Sequence, residues 1–147
     1  MEKNPSNPMK MPTISLFNRQ RKLKLETAGL KKFLELLSAR LELEKGFSIV
    51  LVSNRRMQEM NRNFASKDYP TDVLSFPFSN ETGLDDEYLG DIVISVEKAA
   101  VQAEKNLDNE LRILALHGLL HLLGYDHEKD SGQMKRFESQ LRAELDL

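Results

Sequence analysis

The chain predicts an α+β (mixed α/β) fold: one domain with a small sheet of about four strands covered by helices. Three observations carry this. Short β-branched or alternating apolar stretches occur at several places, and apolar residues recur at helical spacing between them. The two kinds of segment interleave with no internal linker, repeat or low-complexity stretch. The 147 residues suit a single domain spanning 1–147, and 40% hydrophobic content is enough to build its core.

Residues 1–12 read as a loose lead-in. TISLFN (Thr13–Asn18) alternates as a strand. Thr27 then stands as N-cap of a helix whose Leu30, Phe33, Leu34, Leu37 and Leu41 share one face. FSIVLVS (Phe47–Ser53) is a β-branched strand, and Ser53 caps a short helix with Met57, Met60 and Phe64 inward. Pro70 forces Tyr69 towards an extended conformation. DVLSFPF follows as a strand that Pro77 places at a sheet edge, with Phe76 and Phe78 at core and edge. SNETGLDDEYLG is an acidic loop of turn formers. GDIVIS (Gly90–Ser95) is the next strand, and Ser95 caps the helix VEKAAVQAEK. Asp108 is the expected cap of NELRILALHGLLHLL, which Gly124 ends as C′ residue. A last helix places Met134, Phe137, Leu141 and Leu145 inward.

Composition narrows the function. Cysteine is absent, which excludes disulfides, Cys-based zinc sites and thiol nucleophiles and fits a reducing cytoplasm. No apolar run approaches the ~18 residues of a membrane span, and the N-terminal stretch has no secretory h-region. A net charge of −2 counts against a general nucleic-acid coat. It leaves room for a local basic patch, for which NRQRKLK (Asn18–Lys24) and Arg55, Arg56 and Arg62 are the candidates, each run equally readable as a solvated face.

All three histidines lie in HGLLHLLGYDH, His117 to His127. His117 and His121 are four apart and so share one helix face. Leucines on almost every other side bury that helix. An unsatisfied buried polar group costs about 1–3 kcal/mol, and one shared metal ion satisfies both imidazoles. Gly124 lets the chain fold back and return His127 as a third ligand, and a catalytic zinc keeps three protein ligands and one open position. Three structural histidines are the alternative, which the full spacing with its glycine disfavours.

Metalloproteases with H-E-x-x-H-x-x-G-x-x-H carry a Glu base after the first ligand. Gly118 stands there in this chain, which argues against ordinary peptide hydrolysis. A mid-helix glycine costs about 1 kcal/mol against alanine, and the expected compensation is open space beside the metal. Three neutral imidazoles leave the ion's charge intact, which suits an anionic phosphodiester. In RNA the 2′-hydroxyl is itself a nucleophile, which reduces the need for such a base.

HGLLHLLGYDH, with PTDVLSFPF and LGDIVIS in the same order and spacing, resembles the YbeY family of bacterial single-strand endoribonucleases over roughly residues 13–145. The resemblance implies one zinc ion (Zn2+) on His117, His121 and His127. It also implies a cytoplasmic role with ribosomal RNA and the small ribosomal subunit, in 3′-end maturation and ribosome quality control. One position departs from the family pattern. The arginine usual before a G-K-D triplet stands as Ala65, with Ser66 at the glycine. Lys67, Arg62, Arg55 and Arg56 are the available substitutes, though lysine is a point charge without arginine's bidentate fork.

Asp126, Asp91 and Lys67 are therefore the catalytic candidates, and Arg55, Arg56 and Arg62 the RNA-binding ones. Asp126 either orients an imidazole or acts as base, or it stabilises the chain reversal. Asp91 and Asp72 either line the cleft or serve local turns, and Tyr125 either stacks a base or packs on the helix. Three functions follow: a zinc endoribonuclease, a metal-dependent hydrolase of another substrate such as peptides, or a non-catalytic zinc-containing ribosome factor.

Overall fold

The computed structural model describes residues 11–65, 71–78 and 87–147. Four strands and five helices follow one another along them: β1 (Ile14–Asn18), α1 (Ala28–Arg40), β2 (Gly46–Val52), α2 (Asn54–Ala65), β3 (Val73–Pro77), β4 (Tyr88–Ser95), α3 (Val96–Gln102), α4 (Leu107–Leu122) and α5 (Gln133–Glu144). The expected α+β sheet with covering helices is present. The sheet order is β1-β2-β4-β3, parallel except for β3, which runs antiparallel at the edge. No helix among the described residues is long and apolar enough to cross a membrane.

Side-chain alternation divides the core. Ile49, Leu51, Ile92 and Ile94 face the layer that holds α1, α4 and α5, where Leu34, Leu116 and Leu120 are fully buried. Each such side chain contributes about 1.5–3 kcal/mol by leaving water. Val52 and Val93 face the other way, onto Met57 of α2. Central β2 is buried along nearly its whole length, as a strand covered on both faces must be.

Several local expectations change. Asn106 caps α4, its side chain accepting the Asn109 N–H at 2.8 Å, while Asp108 lies in the first turn. The helix starts earlier because α3 stops at Gln102, where Ala103 turns extended. Thr27 occupies the N-cap position without a side-chain bond, and only its carbonyl accepts, from Lys31 N–H. Ser53 and Ser95 cap as expected, accepting from Arg56 and Lys98. β4 begins at Tyr88, because its backbone already pairs with Gly46 there. Phe64 is not core: it is 68% exposed, with its ring edge-on to Phe76 at the sheet margin. The lead-in (1–10), Pro70 with Tyr69, and most of the acidic loop (79–86) lie outside the described residues.

Gly118 also takes a different role. Its buried Cα faces the sheet, and a Cβ there would stand 2.5 Å from Ile92 Cγ2 and 3.2 Å from Ser75 Oγ. The missing side chain opens no space beside the histidines. It lets α4 press onto β4 and β3, and Ser75 Oγ donates to the Gly118 carbonyl at 3.0 Å. Gly118→Ala is expected to lower the urea midpoint of the metal-free chain. Overpacking against the stiff Ile92 methyl costs about 1–3 kcal/mol, more than the roughly 1 kcal/mol gained in helix propensity. An unchanged or raised midpoint would show that Ile92 yields freely.

Candidate metal centre

The close packing of α4 on the sheet brings its histidine face beside edge strand β3. His117 and His121 lie one turn apart, both half-buried, with Nε2 atoms 3.2 Å from each other. The helix then ends in a glycine turn. Gly124 adopts φ +98°, its N–H donates to the His121 carbonyl, and Tyr125 N–H donates to the Leu120 carbonyl. This pair of bonds is a Schellman motif, and its left-handed residue favours glycine. The reversal returns exposed His127, so that one ligand nitrogen from each histidine lies within 4.8 Å of the others. The ring centroids are 4.8, 5.4 and 5.7 Å apart.

The chemistry of this donor set fits a cation. Two nitrogens on a tetrahedral zinc stand roughly 3.3 Å apart for bonds of about 2.0–2.1 Å, close to the His117–His121 separation. His117 Nδ1 is already engaged, 3.1 and 3.2 Å from the two oxygens of Glu138 on α5. The Glu138 carboxylate holds the His117 pKa above the ordinary imidazole value, against the effect of burial. Burial first, then the other two imidazoles, push His121 below it.

A cleft of about 610 Å³ opens over the three rings. One wall is β3. Ser95 N–H bonds the Asp72 carbonyl and Phe78 N–H bonds the Leu89 carbonyl, so even-numbered residues of this strand address β4. By alternation Val73 and Ser75 turn their backbone groups outward. Pro77 falls on that outward side, where its missing N–H removes no ladder bond, so the expected edge placement holds. The opposite rim carries Tyr125, Asp126 and Glu128. With Asp72, the described lining has three carboxylates and neither lysine nor arginine.

The other candidates are distributed unevenly. Asp126 lines the cleft and also braces the turn, one oxygen accepting the Glu128 N–H at 3.0 Å. Tyr125 packs on Phe137, ring centroids 5.6 Å apart. Asp91 does not reach the histidines: it points to the α2 face of the sheet, where the Tyr88 hydroxyl bonds both it and Ser48. The even–odd alternation that sends Ile92 to α4 sends its neighbour Asp91 away. Arg55 and Arg56 lie on α2, each facing Glu59, and neither they nor Arg62 line the cleft. Lys67 lies outside the described residues.

Glu138 escaped the sequence reading, although a signal was present. It shares a helical stripe with Met134 and Leu141, both buried, so its carboxylate faces inward and needs a partner there. Asp130 fixes where that stripe begins, accepting from Gly132 and Met134 N–H at 2.7 and 2.9 Å.

Gly124→Ala meets no atom within 4 Å, so its effect is backbone strain alone. Chemical denaturation of the metal-free chain should show a loss of roughly 1–2 kcal/mol. Unaltered stability would mean that the turn relaxes out of the left-handed region.

Comparison with known proteins agrees with this architecture. The family described as Endoribonuclease YbeY matches residues 15–146. A protein named Endoribonuclease YbeY from Sulfurovum sp. is 40% identical over 144 residues, 93% of this chain and 94% of that protein. One of the same name from Carboxydothermus hydrogenoformans is 47% identical over 105 residues, 68% of this chain and 72% of that one. The solution structure of TM1509 from Thermotoga maritima superposes with a TM-score of 0.57 at 29% identity, covering 90% of this chain and 91% of that one.

Proposed function

This chain belongs to the YbeY family, and from that membership we propose that it is a zinc-dependent endoribonuclease that cleaves single-stranded RNA. The observation that carries the reading is the convergence of the His117, His121 and His127 nitrogens on the floor of a cleft walled by an edge strand. His117, His121 and His127 would hold one zinc ion. When bound, it supplies a Lewis acid and a positive charge for phosphoryl oxygens.

The chain's own groups do the remaining work. The outward N–H groups of Val73 and Ser75 are donors suited to phosphate or ribose oxygens of a strand laid along β3. Asp126 is the carboxylate we assign as proton acceptor. The carboxylate-rich lining repels a phosphodiester by itself, so attraction to RNA rests on the ion and on basic groups such as Lys67. Arg55, Arg56 and Arg62 serve at most a more distant part of the RNA, on the far side of the sheet. Asp91 has no part in this site.

The substrate we assign is ribosomal RNA on the small ribosomal subunit, in 3′-end maturation and ribosome quality control in the cytoplasm. Family resemblance supports this. A non-catalytic zinc-containing ribosome factor is the second reading, favoured by Ala65 at the family's usual arginine position. Peptide hydrolysis is disfavoured, because the Gly118 position has no room for a side chain.

Zinc content and cleavage of single-stranded ribosomal RNA, measured for the parent and His121→Ala, test the proposal. Stoichiometric zinc and cleavage in the parent should both vanish in the variant. Zinc without cleavage in the parent would favour the non-catalytic factor. Undiminished zinc in His121→Ala would refute the tripod.

A further inference from the structure

His117 has two ring nitrogens, and the structure gives them different partners. Nε2 faces His121 Nε2 at 3.2 Å, on the side where the three imidazoles converge. Nδ1 points the other way, to both oxygens of Glu138. A neutral imidazole carries one N–H, and its place is set by the hydrogen bond available to it. A carboxylate at Nδ1 draws the N–H there and leaves the lone pair on Nε2, which is the form a metal needs.

The placement of Glu138 is costly unless it serves such a purpose. Its side chain is only 18% exposed. It lies on the α5 stripe between Met134 and Leu141, which are 1% and 0% exposed. An apolar residue would pack there without the desolvation a carboxylate suffers. Glu138 comes from a different helix, 21 residues beyond His117, so the contact is made only when α5 docks on α4.

We infer that Glu138 is a positioning residue for the metal centre: it locks His117 in the Nδ1–H tautomer and fixes the ring with Nε2 presented to the ion. This deepens the zinc reading above and rests on it. Docking of α5 then becomes part of building the site. A carboxylate behind a ligating histidine also raises the basicity of the ligand, and loss of such partners typically lowers metal affinity about ten- to a hundredfold.

The test uses the full chain with Glu138→Gln and Glu138→Leu. Glutamine keeps an oxygen that accepts the Nδ1–H. Leucine fills the apolar stripe and removes the acceptor. Imidazole 15N spectra of the metal-free proteins read the tautomer, and zinc titration against a chromophoric chelator reads the affinity. Circular dichroism and urea midpoints check folding. The parent and Glu138→Gln should show His117 mainly as the Nδ1–H form. Glu138→Leu should show a mixture of tautomers and about ten- to a hundredfold weaker zinc binding, with a urea midpoint at or above that of the parent. Equal zinc affinity in parent and Glu138→Leu overturns the inference, and so does a loss of affinity with an unchanged His117 tautomer. If Glu138→Leu fails to fold, Glu138→Gln decides: a mixture of tautomers or an affinity as low as that of His117→Ala overturns the inference. A parent that binds zinc no better than His117→Ala is a failure of the metal reading itself, with the tautomer shift still visible in the metal-free chain.

Discussion

The approach of α4 to the sheet at Gly118 governs the geometry of the rest of the molecule. Ile92 occupies the volume where a Cβ would stand, and Ser75 ties the helix backbone to β3. With the helix that close, His117 and His121 come to lie against an edge strand. The glycine turn behind them can then deliver His127 to the same point. A helix riding even a side chain's thickness higher would lift the tripod away from β3 and separate the candidate ion from the outward backbone groups of Val73 and Ser75.

The same contact bears on chemistry. A metalloprotease base after the first ligand requires a side chain at a position that is here filled by the sheet. The absence of that base is thus built into the packing and not a single-residue loss. Among the described residues, the charged groups beside the histidines in the cleft lining are acidic: Asp72, Asp126 and Glu128. A bound cation counters the repulsion that these carboxylates exert on a polyanion. Metal binding and RNA binding are therefore expected to be strongly coupled.

Much of this was legible in the sequence because it follows from periodicity. The four strands, the amphipathic helices, the clustering of the three histidines and Gly124 as helix stop all rest on spacing that the backbone obeys. Contacts between segments distant in the chain were less legible. Gly118 read as open space, since nothing in its neighbourhood announces that Ile92 packs over it. Asp91 stayed open between the cleft and a local turn, since the direction of a strand residue depends on which face meets α4. Phe64 read as core, although its position in the last turn of α2 carries it past the sheet margin. The apolar stripe of Met134 and Leu141 marks Glu138 as inward-facing, but its partner His117 shows only in the docking of α5 on α4. The family resemblance carried the RNA assignment, which no spacing of histidines contains.

The central claim is a three-histidine centre with a position left open towards the cleft. Zinc K-edge X-ray absorption on the zinc-loaded chain tests it most directly. The account predicts three imidazole nitrogens at roughly 2.0–2.1 Å and one further light-atom neighbour that exchanges with added anions. A fourth ligand from the protein that does not exchange, or fewer than three imidazoles, would contradict it.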